Sequence, residues 1–213
     1  MFRNKLSVLV VLVTVSAALA AACTSTTGGA ASPAPSASAP TAPSSADPEV
    51  PKVTQSPLDP GKYASDPCGL VPKDVLASLR YTDAGEYTPQ GDTPTTKGGP
   101  SCLWKLRGEG IGLSVALGTG NRDRGAGGLA GAYAAYHAGT LTKFLERAPD
   151  VEGYPAVYAD VEDGRAMGSC GMEVGIADDL SFDVYAQGYQ GKDDSCGAAA
   201  QVASSIIKTL KGA

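Results

Sequence analysis

The chain has 213 residues, 17 of them basic and 22 acidic, for a net charge of −5, and 43% are hydrophobic. That length and apolar content suffice for one domain with a sizeable core. The acidic balance, with no basic cluster after the first few residues, excludes a nucleic-acid binder and a polybasic membrane patch.

The chain opens with a basic pair, Arg3 and Lys5, and then runs without charge from Leu6 to Ala22. That stretch is about 17 residues, short of the roughly 20 a spanning helix needs. A basic start, an apolar core and small residues at the end predict a secretory signal peptide over residues 1–22. Leu19-Ala20-Ala21-Ala22-Cys23 resembles the lipobox of bacterial lipoproteins, with Leu one place further from Cys23 than usual. The resemblance implies cleavage before Cys23 and a diacylglyceryl group on its sulfur. Several acyl chains together give stable anchoring where one does not. The expected location is therefore the outer face of the cell membrane, with the rest of the chain exported. Removing Arg3 and Lys5 leaves 15 basic against 22 acidic residues, a net charge of −7.

Residues 24–62 contain no aromatic residue and hold eight of the chain's 15 prolines. Such a segment buries too little apolar surface to offset its ordering entropy. Residues 23–62 are expected to be the lipidated cysteine and a disordered Ser/Thr/Ala/Pro linker, spanning on the order of 35 Å as a coil.

Four further cysteines, Cys68, Cys102, Cys170 and Cys196, fall in the remaining domain, residues 63–213. An even number in an exported domain predicts two disulfides, with three pairings open. No pair has the Cys-x-x-Cys spacing of redox catalysts, and no closely spaced Cys/His set offers a zinc site.

Pro72 precedes an apolar stripe of Val75, Leu76 and Leu79, which predicts a short helix. Gly85 to Pro100 reads as a long loop, with a weak strand around Tyr81 to Tyr87. Ser101 to Arg107 and Ile111 to Leu117 both alternate, and Gly108-Glu109-Gly110 joins them as a hairpin. A glycine-rich stretch from Gly118 to Gly128 leads into a helical pattern through Leu129, Tyr133, His137, Leu141 and Phe144. After Pro149, strands are expected at Ala156–Val161, Met167–Ile176 and Leu180–Ala186, joined by acidic turns. A helix from Asp194 to Lys211 closes the chain, capped by Asp194 or Ser195, with Val202, Ala203, Ile206 and Leu210 as its buried stripe. Short strand-to-strand links favour antiparallel pairing. The predicted fold is α+β: a mostly antiparallel, curved sheet of about five strands with two or three helices on one face.

These elements carry a family resemblance. Asp66-Pro67-Cys68-Gly69-Leu70, Ser101-Cys102-Leu103-Trp104, Gly153-Tyr154-Pro155-Ala156, Cys170 on a strand and Asp194-x-Cys196 opening the last helix occur in the order seen in the domain of unknown function 3558 family. The chain resembles its actinobacterial secreted lipoproteins over nearly all of residues 63–213. The resemblance implies the pairing Cys68–Cys102 and Cys170–Cys196. It implies no activity.

Chemical motifs are sparse. His137 is the only histidine, and no Gly-x-Ser-x-Gly elbow accompanies it, so it is read as a helix-surface or partly buried residue rather than a catalytic base. Gly125-Ala126-Gly127-Gly128-Leu129-Ala130 fits a dinucleotide fingerprint only superficially, because the preceding strand belongs to a hairpin. Arg122 and Arg124 beside it are candidates for anion attraction. Asp160, Glu162 and Asp163, and Asp178 and Asp179, lack calcium-loop spacing and read as solvated turns. Trp104 reads as a core residue beside a disulfide.

No catalytic residue, cofactor or metal is therefore expected. The expected function is a non-enzymatic binding or interaction domain for an envelope ligand or protein, held at the membrane by Cys23. The competing expectation is a cell-wall glycoside or peptide hydrolase using a carboxylate pair.

Overall fold

The computed structural model describes Asp47 and residues 49–212. The expected signal peptide, Cys23 and the expected linker up to residue 46 lie outside the described residues. No helix among the described residues is long and apolar enough to cross a membrane.

An arm, Asp47 with residues 49–60, leads into a one-turn 3-10 helix at Gly61–Tyr63 and a second at Pro67–Leu70. Helix α1 follows at Lys73–Ser78, with Pro72 at its start. Strand β1 is a three-residue edge piece, Glu86–Thr88, beside β2 (Ser101–Leu106) and β3 (Ile111–Leu117). Helix α2 (Thr119–Asp123) and helix α3 (Gly128–His137) then lead to β4 (Phe144–Val151), β5 (Tyr154–Asp160), β6 (Cys170–Ala177) and β7 (Leu180–Gln187). Helix α4, Lys192–Lys211, ends the chain.

One sheet of seven strands holds the domain together, in the order β1-β2-β3-β7-β6-β5-β4, and every pairing is antiparallel. The predicted strand count of about five falls short because β1 and β4 were missed or only glimpsed. Both are edge strands, where alternation is weakest. In β4 only Ala148 and Val151 are buried, and Pro149 sits where the register shifts between them. An edge strand tolerates a proline because no ladder needs its missing N–H.

The helices cover both faces, not one. Cys102, Leu113, Val115, Met172, Val174, Phe182 and Val184 point to the face packed by α4 and α1. The α4 stripe of Val202, Ala203, Ile206, Ile207 and Leu210 closes this main core. Burying an Ile such as Ile206 contributes about 1.5–3 kcal/mol. Leu129 and Tyr133 of α3 form a separate cluster with Val157 of β5, on the opposite face. Periodicity shows that a helix has a buried side but not which side of the sheet receives it.

Helix α3 stops at His137, earlier than the pattern predicted. Gly139 sits at φ 59°, a left-handed position that ends the helix. Phe144, expected at that helix's end, begins β4. The cap of α4 also differs: Gly191 is the capping residue, Asp194 Oδ2 accepts the Gln190 N–H at 3.2 Å, and Ser195 Oγ donates back to the Gly191 carbonyl at 2.8 Å.

Two disulfides, Cys68–Cys102 and Cys170–Cys196, fasten the second 3-10 turn to β2 and β6 to the first turns of α4. Trp104 is fully buried in the same core. Arg165, buried beneath β4, donates to Glu146 at 2.9 and 3.1 Å and to Asp163 at 2.7 and 2.9 Å, and stacks against Phe144 and Tyr158.

The segment 50–62, placed in the linker by composition, is packed against the sheet. Val53 and Leu58 join the main core, and Val50 joins the α3 cluster. The Leu58 N–H reaches the Ile176 carbonyl at 3.0 Å, and the Tyr154 hydroxyl donates to the Ser56 carbonyl at 2.8 Å. Three apolar side chains spaced among prolines are too few to register in composition. They suffice when a sheet already offers the matching surface.

Candidate functional site: an apolar cleft and a half-buried acid pair

The arm does not lie flush on the sheet. Between it and α3 is a cleft of about 630 Å³. Val50, Pro51 and Val53 form one wall, Leu129, Ala130, Tyr133 and Ala134 the other, and Ala177 with Asp178 close the end. The size falls within the usual range for small-molecule sites, and the lining is mainly apolar, as such sites require. Helix α3 approaches the sheet closely because β6 carries Gly175 there: a Cβ would sit 3.1 Å from Leu129 and 3.4 Å from Val53.

The polar groups gather at the rim. His137, at the last turn of α3, places Nε2 2.9 Å from Asp47 Oδ2. Asp47 Oδ1 accepts the Glu49 N–H at 2.9 Å, which fixes the other oxygen toward the imidazole. Ligand atoms of Asp47, Glu49 and His137 all lie within 4.8 Å of one another. Burial raises the Tyr133 hydroxyl pKa above its ordinary value, and the Glu49 and Asp47 charges add to the rise while Arg147 opposes it. Tyr133 is thus a neutral wall of the cleft.

A second depression, about 800 Å³, lies between Cys68–Leu76 and the Tyr81–Tyr87 loop. Its walls are the second 3-10 turn, α1 and the segment Tyr81 to Tyr87, and the chain's histidine is not among them. The first cleft combines an aliphatic helix wall with convergent polar groups at one end, so it is the better site.

On the same sheet face as α3, two acids oppose each other. Glu173 of β6 pairs in register with Asp183 of β7. Ser181 Oγ donates to Glu173 Oε1 at 2.6 Å. Ala116 of β3 flanks Asp183 and Val157 of β5 flanks Glu173, so the lateral neighbours are apolar. Among the described residues neither acid has an ion-pair partner. Burial, then the Asp183 charge, pushes the Glu173 carboxyl well above the usual range, and burial pushes Asp183 up to about 7. Two carboxyls in this setting share protons at neutral pH. They do not line the cleft.

Most residues singled out from sequence are placed elsewhere. Arg124 is occupied by the Lys97 carbonyl at 2.6 Å and by Asn121 at 2.9 Å. The glycine stretch before α3 follows an antiparallel strand, so no parallel βαβ unit surrounds it. Asp163 is paired with Arg165, while Asp178 and Asp179 form the exposed β6–β7 turn, of which only Asp178 reaches the cleft. His137 is a surface residue, as read, but with Asp47 as partner. The metal-type cluster around it was missed, because its members are about 90 residues apart in the chain. The acid pair left a signal that went unused: one acid at a mid-strand position in each arm of a hairpin with no other charged residue in its strands.

No curated protein and no solved structure matches the chain. A family model described as "Protein of unknown function (DUF3558)" matches residues 18–209. That match covers most of the sequence, including the cleft, both disulfides and all but the last two residues of α4, and the chain belongs to the DUF3558 family.

Proposed function

We propose that this chain is an exported lipoprotein, anchored through acylated Cys23, whose domain binds an elongated apolar or amphipathic ligand without chemically changing it. The apolar cleft between the arm and α3 carries this reading. Its volume suits a single acyl chain or a comparably slender ligand. Its polar rim at Asp47, Lys52 and His137 suits a headgroup. The family likeness supports an actinobacterial envelope as the setting, and the basic start, apolar core and Cys23 support the anchor.

The test is a titration of the lipoprotein in mild detergent with a dansyl-labelled C11 fatty acid. Saturable binding at one site is expected, weakened at least roughly tenfold by Ala134→Trp, which fills the cleft from an exposed helical position. Absence of saturable binding, or binding indifferent to the bulky side chain, would defeat the reading. For the anchor, Cys23→Ser is expected to move the protein from the membrane to the soluble fraction.

The acid pair favours a second reading, a hydrolase using Glu173 and Asp183. Such a mechanism needs two neighbouring carboxyls, and Glu173 and Asp183 sit directly opposite each other on adjacent strands. Loss of turnover of cell-wall glycan in Asp183→Asn, with the fold intact, is the result that would promote it over the binding reading.

A further inference from the structure

The rim of the cleft holds a set of groups that the binding of an apolar tail does not use. Asp47 and Glu49 come from the arm, and His137 comes from the end of α3. The histidine is the only one in the chain. Its ring is flanked by Tyr133 and Tyr136, with centroids at 6.3 and 5.7 Å, which limits where the imidazole can swing. Neither Asp47 nor Glu49 has a Lys or Arg partner among the described residues. With a neutral imidazole, the three groups carry two negative charges and no compensating cation of their own.

We propose that Asp47, Glu49 and His137 bind a divalent transition-metal ion of the zinc class, and that the ion clasps the arm to α3 at the mouth of the cleft. One imidazole nitrogen and two carboxylate oxygens are a ligand set that zinc accepts, with a fourth position left for water or a ligand headgroup. Bonds of 2.0–2.2 Å at tetrahedral angles put donor atoms about 3.3 Å apart. The observed atoms are within 4.8 Å of one another, so rotation of exposed side chains closes the difference without moving the backbone of α3. The Glu49 N–H on Asp47 Oδ1 leaves Oδ2 for the metal. The ion takes the place of the hydrogen bond between His137 Nε2 and Asp47 Oδ2. Protons compete with the ion for these ligand atoms, so binding weakens as the pH falls. Because ligands come from both walls, occupancy fixes the width of the opening.

The experiment uses the untagged, full-length mature chain in nonionic detergent, with Zn²⁺ and Co²⁺ alone and no cleft ligand added, so its outcome does not depend on what the cleft binds. One equivalent of Zn²⁺ is expected to bind saturably, and Co²⁺ is expected to give the visible absorption of a four-coordinate site. His137→Ala and the pair Asp47→Asn with Glu49→Gln are each expected to weaken binding roughly 30-fold or more. Zn²⁺ is also expected to slow tryptic cleavage after Lys52 in the wild type but not in His137→Ala. Folding of the variants is checked by their retained disulfides and far-ultraviolet dichroism, since all three residues lie at the surface. No saturable binding, binding that survives His137→Ala, or binding that leaves Lys52 cleavage unchanged each overturns the clasp.

Discussion

Replacing Asp183 with Asn should stabilise this protein at neutral pH, contrary to the usual cost of changing a well-packed strand residue. Free carboxyls of Asp and Glu ionise near pH 4. In the fold, Asp183 holds its proton up to about 7, and Glu173 is raised as well. Between those pH values the native state binds more protons than the unfolded chain, so the unfolding free energy falls as the pH rises. The stability is fully present with both groups protonated and is lost on passing through pH 5 to 7. A shift of about three units converts to about 4 kcal/mol. Two full charges about 5 Å apart repel by about 3 kcal/mol at an effective dielectric of 20. Both side chains keep some contact with solvent and the surface there can relax, so about 2 kcal/mol is the working figure. For a domain of this size that is a Tm increase of roughly 4–8 °C. Thermal melts of wild type, Asp183→Asn and Glu173→Gln from pH 5 to 8 measure it. The wild type should melt higher at pH 5 than at pH 8, and each variant should flatten the profile. A wild-type Tm that rises from pH 5 to 8, or an Asp183→Asn variant less stable at pH 8, would refute the reasoning.

Other expectations rest on the staples and the buried arginine. Cys170–Cys196 closes a separation of 26 residues and Cys68–Cys102 one of 34, each worth about 3.5 kcal/mol in the chain-entropy model. Cys170→Ser with Cys196→Ser should lower the Tm by roughly 7–14 °C, and dithiothreitol, which opens both disulfides, should lower the wild-type Tm further. Arg165→Ala should cost about 2–3 kcal/mol, because it removes the packing on Phe144 and Tyr158 and leaves Glu146 and Asp163 without their cation. Urea unfolding reports this, and Arg165→Lys should recover less than half, since one ammonium cannot hold both carboxylates in a fork. Asp163 responds to pH in the opposite sense to the acid pair. Arg165 holds its carboxyl down at about 2, so that stability is present above pH 4 and disappears only as the pH falls toward 2. Acid unfolding of Arg165→Ala should therefore lack this component.

Much of the fold was legible in the sequence for local reasons. The β2–β3 hairpin could be read because its alternation is unbroken and glycines sit at the turn. Strands β6 and β7 could be read because they lie at the centre of the sheet, where burial demands apolar residues. The stripe on α4 is nearly continuous and gave the helix to within two residues. Elements with little buried surface were not legible. Strand β4 buries only two of its eight residues and contains a proline, and α2 is assembled from polar residues and glycine. The site is a different case. Val50, Val53, Leu129 and Tyr133 are individually unremarkable apolar residues, and nothing local says that the first two face the second two across a gap.

The sequence alone therefore determined the local and countable features. These are the charge, the four cysteines of the domain, the apolar periodicity of its central elements and the residues that carry the family likeness. The first three follow from side-chain chemistry and the two backbone repeats of 2.0 and 3.6 residues. Tertiary structure decided everything that depends on which distant surfaces meet. It joined the four cysteines as Cys68–Cys102 and Cys170–Cys196, put α3 on the face opposite α4 and drew the arm out of the linker onto the sheet. It also set Glu173 against Asp183 and brought Asp47 to His137. Those meetings arise because the strand order β3-β7-β6-β5 brings sequence-distant strands and loops together around one sheet. Contacts of that range are fixed by global packing, which no single segment encodes.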